Sequence, residues 1–128
     1  ADRVLRAVGE VVWVNTEAQI DAVTAISGSG PAYVFYFIES LMQAGAELGF
    51  TPEQARQLAY GTFDGAVKLA LNSADDAATL RTKVTSKGGT TERALATMEA
   101  AGVKAAIISS AQAACLRGKE LGDEFGKL

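Results

Sequence analysis

Two glycine-rich turns hold most of the residues in this sequence that could do chemistry. The more promising is Val84-Thr85-Ser86-Lys87-Gly88-Gly89-Thr90-Thr91. Paired glycines allow backbone angles closed to other residues, and here they stand just before helix-forming sequence whose first N–H groups have no intrahelical acceptor. Such a helix start carries partial positive charge and suits a small anion such as a carboxylate. Ser86, Thr90 and Thr91 add hydroxyls, while Arg81, Lys83, Lys87 and Arg93 gather positive charge around the same turn in a chain of net charge −3. An ordinary capped helix flanked by solvated charges would use the same residues, because Gly-Gly-Thr-Thr is also a frequent N-cap pattern. Spacing alone leaves both readings open.

The other turn, Ser27-Gly28-Ser29-Gly30-Pro31-Ala32-Tyr33, follows an apolar run and opens a helix, so it invites comparison with a dinucleotide-binding fingerprint. Tyr33 occupies the place of the third glycine, and the region about 20 residues on, near Phe50, reads as a helix end and not as a second strand closed by an acid. A structural corner near the active site is the better reading. Other chemistry is excluded by composition. With no histidine, the sequence lacks the commonest base, the commonest metal ligand and every Ser-His or Cys-His arrangement. Cys115 is the single cysteine and sits in a small-residue helical pattern, which leaves neither a disulfide framework nor a cysteine metal cluster. No metal site is expected.

The elements that must position these turns are nearly all helical. Residues 2–8 resemble the last turns of a helix, Gly9 acts as a stop, and Val11-Val12-Trp13-Val14 is the one good strand, whose sheet must lie elsewhere. A short helix is predicted from about Glu17 to Ile26, with Thr16 and Gln19 as a capping box, and Ser27-Gly28 breaks it. Pro31 then takes the first position of a long helix to Leu48. Val34, Phe35, Tyr36, Phe37, Ile38 and Leu41 surround its axis, which predicts a central helix buried on most sides.

Gly49 ends that helix, and Thr51-Pro52-Glu53-Gln54 starts the next with an N-cap, a first-turn proline and a second capping box. It runs to about Leu71, with Ala55, Leu58, Ala59, Phe63 and Val67 on its apolar stripe and Gly61 and Gly65 placed for close approach of another backbone. Asp75-Asp76 opens a short helix to about Lys83, with Ala78, Leu80 and Val84 inward. A further helix runs from Thr90 or Thr91 to Ala100, with Ala94, Leu95 and Met98 inward. After Gly102, a last helix from Val103 to about Glu124 is lined by small residues such as Ala106, Ser110 and Ala114.

With 128 residues and 48% hydrophobic content, the chain suits one compact helical core. No apolar run reaches the roughly 20 residues of a membrane span, no leader pattern is present, and the acidic balance argues against nucleic acid. A soluble cytoplasmic protein is expected. More apolar surface is predicted than a monomer covers, which points to a homo-oligomer.

Taken together, Asp21 through Tyr33, then Leu80-Arg81 and Val84 through Thr91, resemble the paired C-terminal signatures of pyrroline-5-carboxylate reductases in order and spacing. The resemblance covers nearly the whole chain. One departure is Lys87, where the family's loop usually has proline. The resemblance implies an all-α, interleaved dimerisation domain of the 6-phosphogluconate dehydrogenase C-terminal type over 16–128, with residues 1–15, including the short strand, left over from an N-terminal Rossmann domain.

It further implies NAD(P)H-dependent reduction of the ring C=N of 1-pyrroline-5-carboxylate to L-proline, the last step of proline biosynthesis. The cofactor, NADPH or NADH, would be held mainly by the Rossmann domain, with no cofactor-binding residue in this chain. The chain alone would be inactive. The substrate site would be Ser86, Gly88, Gly89, Thr90 and Thr91, with the carboxylate against the N–H groups of Gly89, Thr90 and Thr91. Thr91 would be the catalytic residue, its hydroxyl facing the ring nitrogen. Two alternatives stand beside this reading: a free-standing helical oligomerisation module, and the helical domain of another NAD(P)-dependent dehydrogenase.

Overall fold

The computed structural model describes residues 16–126, and among these every regular element is helical. The expected strand at Val11–Val14 and the expected boundary at residue 15 lie outside the described residues. The elements are α1 (Glu17–Val23), a π turn (Thr24–Gly28), α2 (Gly30–Glu47), α3 (Pro52–Leu71), α4 (Ala77–Lys83), α5 (Thr90–Ala100) and α6 (Val103–Gly126). They fall into two compact units, Val34–Val103 being one, and the described residues up to Tyr33 with those from Lys104 onward being the other.

In the second of these units, Thr16 caps α1 by accepting from the Gln19 N–H at 3.2 Å. The predicted break at Ser27-Gly28 is instead a wider helical turn, because Ser29 N–H donates at 2.7 Å to the Thr24 carbonyl, five residues back. The hydroxyls of Thr24 and Ser27 donate to the carbonyls of Ile20 and Val23, each at 3.0 Å, and hold the chain on its helical path. Ala25 is buried within the turn, and its carbonyl receives the Tyr33 phenol at 2.9 Å. That bond supplies the donor that the five-residue step takes from it, and it fixes the turn to the start of α2. Pro31 is the second residue of α2, one place later than expected and still ahead of any backbone bond it could break. In α6, Gly118 lies against α1, where a Cβ would stand 3.3 Å from Asp21 Oδ1.

In the Val34–Val103 unit, α2 and α3 form an antiparallel hairpin. The rings of Phe37 and Phe63 meet edge to face at 5.4 Å, and a Cβ on Gly45 would come within 3.1 Å of the Ala55 Cβ. Gly49, at φ 104°, turns the chain between the two helices, and α3 then starts with the predicted capping box. Asp76 caps α4 by accepting from Thr79 N–H at 2.8 Å, Lys83 pairs with Asp75, and Gly102 at φ 72° separates α5 from α6.

Burial departs from expectation. The buried residues among those described are Ala25, Ala55 and Ala59, all small. Helix α2 covers one stripe, Phe37, Ile38, Leu41, Met42 and Gly45, and leaves Phe35 and Tyr36 at 63% and 74% exposure, so it is not buried on most sides. On α3, Leu58 and Val67 are exposed by about half although they belong to the predicted stripe, and beyond the glycines at 61 and 65 nothing lies within 4 Å of where a Cβ would be. Ala78, Val84 and Ala94 are exposed as well, as is most of the small-residue lining of α6. The periodicity of these helices marks surfaces to be covered, but the described residues of one copy do not cover them.

Candidate functional site

The Ser86–Thr91 segment links α4 to α5. Helix α4 ends at Lys83, its C-cap Val84 donates N–H to the Leu80 carbonyl at 3.2 Å, and Thr85 N–H donates to the Thr82 carbonyl at 3.1 Å. The chain then reverses. Gly88 adopts φ 76°, a conformation other residues rarely take, and Gly89 N–H closes the turn on the Ser86 carbonyl at 3.0 Å. Gly89 needs its missing side chain for room, since a Cβ would lie 3.2 Å from that same carbonyl oxygen. It is the N-cap of α5 and offers no side chain to the helix start.

The N–H groups of the predicted site are therefore unequal. Gly88 donates to the Glu92 carboxylate at 3.1 Å and Gly89 to Ser86, so both are engaged within the chain. Thr90 and Thr91 occupy the first two helical positions, and their N–H groups meet no acceptor among the described residues. A ligand at this helix start finds those two open together with the Glu92 N–H, which likewise meets no acceptor among the described residues, and the Gly89 N–H joins them only when its bond to Ser86 gives way.

The hydroxyls sort the same way. Those of Thr24, Thr62, Thr82, Thr85 and Thr97 donate to the carbonyl four residues back. Thr16 and Thr51 cap helices, and Thr79 bonds the Asp76 side chain. Among the described residues, Thr90 and Thr91 are the threonines whose hydroxyls carry no such bond, because no helical carbonyl lies four residues behind the first turn. Two adjacent residues thus present N–H and O–H groups that the fold leaves unspent.

An open depression of about 500 Å³ lies beside them, lined by Gly88, Gly89, Thr90, Glu92, Arg93 and Ala96. Ser86 and Thr91 do not line it; both are exposed at its margin in sequence. Of the four basic residues expected around the turn, Lys83 is neutralised by Asp75, Arg93 lines the depression, and Arg81 and Lys87 are exposed. Glu92, which sequence reasoning passed over, also lines the depression and accepts the Gly88 N–H. Its signal was an acid at the third position of a helix, the place from which a side chain reaches back over the helix start.

The turn at 27–33 does not fit a dinucleotide. No strand leads into it, the π turn occupies its first half, and the Tyr33 phenol is spent on the Ala25 carbonyl. Among the described residues no group of carboxylates and thiol is placed to hold a metal ion, and no helix is long and apolar enough to cross a membrane.

Fold and site together define a helical domain whose apolar faces call for a partner surface and whose α5 start, with open N–H groups, suits a small anion. Comparison with known proteins makes this specific. The family described as pyrroline-5-carboxylate reductase dimerisation matches residues 17–121. The chain is 44% identical to the pyrroline-5-carboxylate reductase of Pseudomonas aeruginosa over 99% of its own length and 46% of that protein's. It is 42% identical to the Corynebacterium melassecola enzyme over 92% of this chain and 43% of that one.

Among solved structures, the chain matches a pyrroline-5-carboxylate reductase from Coxiella burnetii with a TM-score of 0.86 and 43% identity, covering 94% of this chain and 44% of that one. It also matches the Plasmodium falciparum pyrroline carboxylate reductase, solved with NADP bound, with a TM-score of 0.83 and 35% identity over 88% of this chain and 44% of that one. The chain belongs to the pyrroline-5-carboxylate reductase dimerisation family, and it spans a little under half the length of these relatives, in their C-terminal part.

Proposed function

We propose that this chain is the dimerisation and substrate-binding part of a cytoplasmic pyrroline-5-carboxylate reductase, which reduces 1-pyrroline-5-carboxylate to L-proline with NADPH or NADH. On this reading residues 1–15 belong to the end of the dinucleotide-binding domain and 16–128 to the helical domain, and the cofactor is held outside the described residues. The protein works as a homodimer or a higher homo-oligomer, which the uncovered faces of α2 and α3 support.

The observation that carries the reading is the pair Thr90 and Thr91, with open N–H and hydroxyl groups at the positive end of α5. The substrate carboxylate lies against their N–H groups, the Thr91 hydroxyl faces the ring nitrogen, and Gly88, Gly89 and Ser86 shape the turn beneath. Holding a small charged ring by its carboxylate fixes the orientation of its C=N bond, which removes rotational freedom before reaction. A cyclic imine takes its proton readily from water, so the absence of histidine is compatible with this chemistry.

The test is NADPH oxidation by the full-length enzyme with 1-pyrroline-5-carboxylate. Thr91→Ala is expected to lower kcat/KM on the order of tenfold to a hundredfold, the usual cost of one hydrogen bond to a polar or charged reacting group. An unchanged value would favour the capped-helix alternative, and turnover of a different imine or carbonyl substrate in place of this one would favour another dehydrogenase.

A further inference from the structure

We infer that Glu92 is a positioning residue for the substrate turn, acting through the backbone of Gly88; this rests on the substrate site proposed above. Glu92 is the third residue of α5, and its Oε1 accepts the Gly88 N–H at 3.1 Å. The link spans the whole turn, from the helix back over the N-cap to the residue whose φ of 76° reverses the chain. A glycine at such a position is the most easily deformed point of the segment, because little steric resistance opposes its rotation. Tying its N–H to the helix removes that freedom and holds the Gly89 carbonyl, which accepts from Arg93 N–H at 3.3 Å, in line with the helix.

The direction of the contact also matters. In a capping box the third-position side chain returns to the N–H of the cap itself, as Gln54 Oε1 does for Thr51 at 3.0 Å. Glu92 instead reaches one residue further and leaves the N–H groups of Thr90 and Thr91 uncovered. Glu92 lines the depression with Gly88, Gly89 and Thr90, and its carboxylate meets the turn at the Gly88 N–H. Gln54 shows within the same chain that a glutamine amide oxygen serves in this kind of contact, which provides the control.

The experiment uses the full-length enzyme and compares Glu92→Ala with Glu92→Gln, alongside Thr91→Ala. Glu92→Ala is expected to raise KM for 1-pyrroline-5-carboxylate about fivefold to tenfold, with KM for NADPH unchanged. Glu92→Gln, which keeps the acceptor, is expected to return KM to within about twofold of the parent. Equal effects of the two substitutions, or a thermal midpoint and a KM for NADPH that move together with the substrate KM, would overturn the positioning role. If Thr91→Ala impairs the enzyme while both Glu92 variants match the parent, this inference fails and the site stands. If the unmodified enzyme does not turn over 1-pyrroline-5-carboxylate, the site reading falls and this inference with it.

Discussion

The starts of α3 and α5 use the same sequence device to opposite ends. At α3, the Thr51 side chain accepts from Gln54 N–H, Gln54 returns the bond to Thr51 N–H, and Pro52 has no N–H to satisfy. At α5, the cap is a glycine with no side chain, the third-position acid bypasses it, and the first three helical N–H groups stay open beside two uncommitted hydroxyls. The first start satisfies its cap and third-position N–H groups with its own residues, leaves the Glu53 N–H as the one without an acceptor among the described residues, and serves stability. The second forgoes that closure, and a helix end left unsatisfied at the surface is one that a ligand can complete.

That contrast can be broken most forcefully at Gly89. Gly89→Val in the full-length enzyme places branched carbon against the Ser86 carbonyl, which already lies 3.2 Å from an ideal Cβ, and the turn must shift. A loss of about a hundredfold in kcat/KM for 1-pyrroline-5-carboxylate is expected, as for other displacements of positioning groups. Thr51→Ala is the matched change at the closed start. It should cost about 1 kcal/mol of stability, read by chemical denaturation, and leave KM for the substrate unaltered. A change in substrate KM there would mean that the two helix starts do not differ in kind.

The smallest effect is expected at the cap of α4. Hydrogen bonds from the Thr79 side chain and backbone hold the Asp76 carboxyl below its ordinary value of 3.8. Because the folded pKa is depressed, the cap's contribution is present in full above pH 3.8 and is lost as pH falls through the lowered value. Asp76→Asn, which keeps an acceptor that does not titrate, should flatten the acid limb of a stability profile below about pH 4. An unaltered limb would show that the cap plays no part in acid unfolding.

What could be read from the sequence was what is local. Thr51-Pro52-Glu53-Gln54 announces a helix start because every bond it makes spans three or four residues, and Asp76, Asn72 and Gly102 mark their boundaries for the same reason. The π turn was missed because Ser27-Gly28 has the composition of a break. The hydroxyl bonds to Ile20 and Val23 and the phenol of Tyr33 support the backbone bonds of that segment, and the last of these comes from eight residues away. The apolar residues expected to surround α2 cover only one stripe, and Leu58 and Val67 on the expected stripe of α3 remain exposed, because periodicity says which face is apolar and not which molecule covers it. At the proposed site, type and spacing marked the glycines and threonines as a helix start open to an anion or to a plain cap, and the resemblance chose between the two. The role of Glu92 was not legible, since an acid in a first turn is ordinarily explained by the helix dipole alone.

The small core has a consequence for how this chain persists in solution. Three alanines are the buried residues among those described, and such a core contributes little apolar burial against the entropy of ordering the chain. If the exposed faces of α2 and α3 are covered by a second copy, folding and association become one equilibrium, and mass action enters the stability. Dilution then acts as a denaturant, and the amount of protein present decides how much of it is folded.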